Sequence, residues 1–325
     1  MKTSRMIPIP GPRPPTPDTL PGGVVRERDY GVVDIGSNTV HLLVARTNGA
    51  TVTPLVDLSE GLRLGDDVDS RGAISDNKIE QLIDTLSLFR EAANVEGITA
   101  PHLLATHAIR TAANRAYVTD AIKKVTGLSV EVISPEHEAA LSFLGAEADF
   151  PSVGPQVVAD IGGGSMQVAV GQGRDVWDSV SLPLGAARVA THFLPSDPPT
   201  YIEEAVLVTY LVNVVPPALP VTGTIYTGLI GVGGTLRRTP QLLDMKPGQV
   251  LPMDAIEKML SLLRGHTMGD LANKYDLKPE RARLLMPSLL VLREVLRVFN
   301  NPPLIMASFG MREGAVLQLA RQKKI

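Results

Sequence analysis

Asp34-Ile35-Gly36-Ser37-Asn38-Thr39 and Asp160-Ile161-Gly162-Gly163-Gly164-Ser165 are two copies of one turn in a chain of 325 residues. Apolar, β-branched runs flank both: Gly31-Val32-Val33 and Val40-His41-Leu42-Leu43-Val44 around the first, Val157-Val158-Ala159 and Val168-Ala169-Val170 around the second. Each pattern predicts a β-hairpin. A turn built of Gly, Ser and Asn can aim several backbone N–H groups at one point, which is what a phosphate requires. The repeat therefore predicts a duplicated fold with a phosphate loop in each half, one over Gly36, Ser37, Asn38 and Thr39 and one over Gly162, Gly163, Gly164 and Ser165, and a ligand between them.

Length agrees with duplication, since 325 residues exceed what one hydrophobic core usually organises. The expected division is a proline-rich leader over 1–29, too poor in apolar side chains to fold, then domains over 30–150 and 151–325. No apolar run follows Lys2 and Arg5, so no secretory signal is expected. With 31 basic against 34 acidic residues, the net charge of −3 offers no bulk attraction to nucleic acid or an anionic membrane. The absence of cysteine excludes disulfides, thiolate metal sites and thiol nucleophiles, and fits a cytoplasmic chain. Apolar stretches such as 206–215, which ends at Pro216-Pro217, are too short to span a bilayer.

Between the turns the pattern predicts a strand over 51–56, a loop over 61–65 and a helix capped by Ser75 with Ile79, Leu82, Ile83, Leu86 and Phe89 as its apolar stripe. A strand over 102–106, a helix over 112–125 closed by Gly127, a strand over 130–133 and a helix from Ser134 follow. The second half predicts a strand over 177–182, helices near 185–193 and 201–214, a strand over 226–232, and a helical tail opening at Pro252 and Pro279. This is a mixed α/β order.

Four groups could carry chemistry. Arg110, between a strand and a helix, can fork onto a phosphate or pair with a surface carboxylate. Glu136 and Glu138 both suit a first helical turn through the helix dipole, but Glu138 stands at the mouth of an apolar helix (Ala139, Leu141, Phe143, Leu144), where it could act as general base on a water. Asp34 and Asp160 either cap their own turns or hold a cation, with Mg²⁺ favoured for Asp160, because a bare carboxylate would repel a bound phosphate. Gly231-Val232-Gly233-Gly234-Thr235, followed by Arg237-Arg238, is a third Gly-rich turn that matches neither a Walker A loop nor a dinucleotide fingerprint. The six histidines show no metal spacing, and a core role suits His41.

In order, Asp34 to Thr39, Ala105 to Arg110, Ile133 to Ala139, Asp160 to Ser165, Ser181 to Gly185, Gly233 to Thr235 and Arg312 to Gly314 resemble the motifs of the exopolyphosphatase/guanosine pentaphosphate phosphatase (Ppx/GppA) family, within the sugar kinase, Hsp70 and actin superfamily. The resemblance spans about residues 30 to 325. It implies two ribonuclease-H-like α/β domains with a cleft between them, and a water attacking the terminal phosphate of inorganic polyphosphate or guanosine pentaphosphate. It implies Glu138 as the catalytic carboxylate and Arg110 as a phosphate-binding arginine, and adds Gly233, Gly234 and Thr235 to the two phosphate turns. It implies Mg²⁺ or another divalent cation at Asp160, with Asp34 and Gln167, and raises a homodimer as the assembly. Two positions depart from the family pattern: Gln167 replaces a glutamate that helps organise Mg²⁺, and His137 replaces another glutamate beside Glu138. The chain resembles the short members that lack C-terminal helical extensions. The expected activity is exopolyphosphatase; the alternatives are guanosine pentaphosphate phosphohydrolase, a catalytically weakened polyphosphate- or nucleotide-binding regulator, and a kinase- or actin-like ATPase.

Overall fold

The computed structural model describes residues 27–221, 223–246 and 248–322. The leader expected over 1–29 lies outside the described residues as far as 26, and Arg28 and Asp29 already belong to the first strand. The described residues divide into two compact units, one of residues 149–310 and the other of residues 27–148 together with 311–322.

The first unit contains β1 (Arg28–Ile35), β2 (Val40–Thr47), β3 (Val52–Glu60), α1 (Leu64–Arg71), α2 (Asp76–Val95), β4 (His102–Ala105), α3 (His107–Thr111), α4 (Arg115–Thr126), β5 (Val130–Val132) and α5 (Pro135–Asp149). Its sheet runs β3-β2-β1-β4-β5, with β1, β2 and β3 antiparallel and β1, β4 and β5 parallel. Alternate residues of β1 and β2, including Val33, Ile35, Val40 and Leu42, bury one face of the sheet against Leu82, Leu86 and Phe89 of α2.

The second unit contains β6 (Gln156–Ile161), β7 (Met166–Gln172), β8 (Asp175–Leu182), α6 (Ala186–Phe193), α7 (Tyr201–Ala218), β9 (Gly228–Val232), a 3-10 helix (Leu236–Leu243), β10 (Val250–Leu251), α8 (Ala255–Leu263), α9 (Met268–Tyr275), α10 (Pro279–Ala282), α11 (Leu285–Val298) and β11 (Leu304–Met306). Its sheet runs β10-β11-β9-β6-β7-β8. Five of these strands, β8-β7-β6-β9-β11, repeat β3-β2-β1-β4-β5 in order and in direction. The repeated turn thus joins β1 to β2 and β6 to β7 at matching places in two α/β units of the same ribonuclease-H-like topology.

Four expectations differ from the structure. The stretch expected as a corner before a helix at 112 is itself helical, so Arg110 lies inside α3 rather than between a strand and a helix. The loop expected over 61–65 runs into α1, whose polar sequence buries only Leu64 and Asp67 and so offers no apolar stripe to read. The helical tail contains β11, three residues long, which pairs with β9 through a register that no local pattern displays. The second domain expected over 151–325 loses its last helix, α12 (Met311–Gln322), to the first unit. The reason is packing: α12 lies against β1 and β2, and a Cβ on Gly314 would run into the carbonyl of Leu141 on α5.

Candidate functional site

Both turns close in the same way. The N–H of Gly36 donates to the carbonyl of Thr39 at 3.2 Å, and that of Gly162 to the carbonyl of Ser165 at 3.0 Å. The carbonyls at each tip are engaged by the protein. Ser37 O accepts from Gly65 N–H (2.8 Å) and Asn38 O from Arg63 N–H (2.9 Å), both in the segment entering α1. Gly162 O accepts from Ala186 N–H (2.8 Å), and Gly163 O from the N–H groups of Ala187 and Arg188, at the start of α6. With the carbonyls held this way, the N–H groups of Ser37, Asn38, Gly163 and Gly164 are what each tip can offer an anion. The hydroxyl of Ser37 is buried without a hydrogen-bond partner, which suits a ligand oxygen.

Close approach makes two glycines necessary around the second turn. Gly233, at φ 134°, would place a Cβ 2.6 Å from Ile161 O, so the third Gly-rich turn lies directly against the end of β6. A Cβ on Gly185 would collide with the backbone of Gly163 and Gly164. Gly185→Ala is expected to cost about 1–3 kcal/mol, the range for forcing atoms into a packed site, and to displace the turn. Thermal unfolding and phosphate release measured together check this; a variant equal to the native protein in both would contradict it.

Arg110 and Glu138 are brought together. The end of β4 is pinned by Thr106 N–H on Ile35 O (3.2 Å) and Ile133 N–H on Ala105 O (3.1 Å), and α3 follows at once. On α5 the hydroxyl of Ser134 accepts the N–H of His137 (3.2 Å), an N-cap bond. Glu138 stands in the first turn of that helix. Arg110 Nη1 donates to Ile133 O at 3.0 Å and to Glu138 Oε2 at 2.9 Å. Both side chains are nearly buried, at 14% and 10% exposure. The two groups read separately in the sequence form one ion pair, in which Nη1 anchors the guanidinium and its Nε and Nη2 donors remain for a ligand. His137 points elsewhere: its Nε2 lies 3.0 Å from Gln318 Oε1, and its Nδ1 3.9 Å from Glu131.

The pattern Arg312-Glu313-Gly314 carries a residue that the sequence reading gave no role. Arg312, nearly buried at the start of α12, donates from Nη1 to Asp57 Oδ1 at 2.6 Å. Burial works against its charge, but Glu313, Asp57 and Asp34 outweigh it and hold its pKa above the usual arginine value. The carboxylate of Asp34 therefore has a protein cation in its field.

Asp160, the second-last residue of β6, lies directly across from Gln167 on β7. Gln167 is 2% exposed, and its Nε2 donates to the hydroxyls of Ser165 (2.8 Å) and Ser181 (3.1 Å). Among the described residues no group of three or more His, Asp or Glu could hold a metal ion. The donor set suits a cation held by one or two carboxylates together with substrate oxygens and water, which is how Mg²⁺ is commonly bound.

The sequence profile of the Ppx/GppA phosphatase family matches residues 43–323. The chain belongs to the Ppx/GppA phosphatase family. It is 29% identical over 302 residues to Exopolyphosphatase 1 of Mycobacterium tuberculosis, covering 89% of this chain and 87% of that protein. It is 27% identical over 307 residues to the guanosine-5'-triphosphate,3'-diphosphate pyrophosphatase of Vibrio cholerae, covering 90% of this chain and 59% of that protein. The crystal structure of the Aquifex aeolicus Ppx/GppA family member superposes with a TM-score of 0.80 at 25% identity, covering 92% of this chain and all of that one. This Ppx/GppA protein is accordingly a phosphoanhydride hydrolase, the class to which both named activities belong. Among its described residues no helix is long and apolar enough to cross a membrane.

Proposed function

We propose that the chain removes the terminal phosphate of inorganic polyphosphate in a Mg²⁺-dependent hydrolysis, with Glu138 activating the attacking water. The observation that carries this reading is the nearly buried Arg110–Glu138 pair, a carboxylate at a helix mouth beside a guanidinium with donors to spare. Glu138 accepts a proton from the water as its oxygen attacks the terminal phosphorus. The P–O anhydride bond breaks, giving orthophosphate and a chain one unit shorter. Arg110, through Nε and Nη2, and the N–H groups of Ser37 and Asn38 stabilise negative charge on phosphate oxygens. In the other unit, the N–H groups of Gly163 and Gly164 bind phosphate, with Gly233, Gly234 and Thr235 backing that turn.

Asp160 is the carboxylate that would hold the metal. Mg²⁺ bound there would neutralise charge on phosphate oxygens. Asp34, already in the field of Arg312, is the weaker metal carboxylate. Asp160→Asn is expected to raise the Mg²⁺ concentration for half-maximal activity by about tenfold or more; an unchanged Mg²⁺ titration would remove Asp160 from this role.

Polyphosphate is preferred over guanosine pentaphosphate because the exopolyphosphatase relative is the more similar of the two, 29% against 27% identical. Parallel assays of orthophosphate release from polyphosphate and guanosine pentaphosphate, with Mg²⁺ and with chelator, test the choice. Faster turnover of the nucleotide would reverse it.

A further inference from the structure

Gln167 sits two residues beyond the second turn, across from Asp160 on β6 and from Ser181 on β8. Its buried carboxamide gives one hydrogen to the Ser165 hydroxyl and the other to the Ser181 hydroxyl. An amide nitrogen donates and does not accept. Both serine oxygens are therefore acceptors in these bonds, and each hydroxyl keeps its own proton to give elsewhere. Ser165, itself 5% exposed, is the residue that closes the turn. A carboxylate at position 167 would reverse the arrangement: it only accepts, so both hydroxyl protons would turn toward it and away from any anion.

We propose that Gln167 is a positioning residue that fixes the Ser165 hydroxyl as a donor to phosphate on the 162–165 turn, so that this turn takes an anion through neutral hydrogen bonds without an intervening cation. The inference rests on the proposed reading of that turn as a phosphate site. It assigns the second turn a metal-independent share of substrate binding and separates Gln167 from the carboxylate opposite it. The reversed polarity also gives a reason for glutamine here: Asp160 is already a negative charge beside the turn, and a second one would repel phosphate unless a cation neutralised both.

The test is calorimetric binding of inorganic tripolyphosphate to the full chain, in chelator and again in Mg²⁺. The native protein is expected to bind in chelator. Gln167→Glu and Ser165→Ala are each expected to weaken that binding about tenfold, the size of one hydrogen bond to a charged group. Combining them should cost less than the sum of the two losses, because the Ser165 donor is lost only once and the charge added by Gln167→Glu is the only further penalty. Mg²⁺ should restore binding to Gln167→Glu in part and leave Ser165→Ala weakened, a difference that loss of structure would not produce. Ser165→Ala, the smaller change, carries the test if Gln167→Glu unfolds at a lower temperature. Undiminished binding by either variant in chelator, additive losses in the double variant, or no metal-free binding by the native protein would overturn the proposal. Binding without any release of orthophosphate would instead contradict the hydrolase reading and leave the role of Gln167 standing.

Discussion

Arg110→Ala is expected to lower kcat/KM for orthophosphate release by roughly 10²–10³-fold, the loss measured when one preorganised donor to a developing anion is removed. It should also destabilise the protein by about 3 kcal/mol or more, because Glu138, 8% exposed, would keep a buried charge without its guanidinium. The two effects separate in Arg110→Lys. An ammonium answers the charge of Glu138 and preserves most of the stability, but it cannot hold Ile133 O and Glu138 while presenting a second pair of donors to phosphate. Steady-state kinetics beside thermal unfolding of both variants checks the expectation. Full activity in Arg110→Lys would mean that the guanidinium fork serves only to hold α5.

Glu138→Gln is expected to reduce phosphate release by ~10²–10⁴-fold, the range for losing a positioned general base. Its amide oxygen can still accept from Arg110 Nη1, so the corner between β4 and α5 should stay assembled and tripolyphosphate binding should survive. The expected signature is a fall in kcat with little change in KM. A variant that loses binding in proportion to turnover would instead assign Glu138 to holding Arg110 in place.

The duplicated turn was legible because its information is local. Asp-Ile-Gly followed by small polar residues, between two β-branched runs, specifies a tight hairpin whatever surrounds it, and both copies close through the same Gly N–H bond. The three-stranded meanders and the helices with apolar stripes, such as α2, follow from period alone. What escaped depends on partners distant in sequence. β11 is three residues whose strand character comes from pairing with β9, and α12 joins the first unit because Gly314 admits the carbonyl of Leu141. Neither contact leaves a periodic mark in the segment that makes it.

The site divides along the same line. Arg110 and Glu138 stood out as a strand-end arginine and a first-turn glutamate, but their pairing across 28 positions is tertiary. Arg312 entered only as part of the motif Arg312 to Gly314; its importance comes from its place beside Asp57 and within the field of Asp34. Gln167 was legible as a missing negative charge. Its commitment to Ser165 and Ser181 required knowing that β6, β7 and β8 lie side by side.

The most direct measurement is phosphorus-31 NMR of a polyphosphate of one defined length incubated with Mg²⁺ and either the native chain or Glu138→Gln, at matched tripolyphosphate occupancy. The account predicts that the native protein produces orthophosphate and a chain shorter by one unit, and that Glu138→Gln produces both at least a hundredfold more slowly. Internal scission, release of pyrophosphate, or equal rates from the two proteins would contradict it.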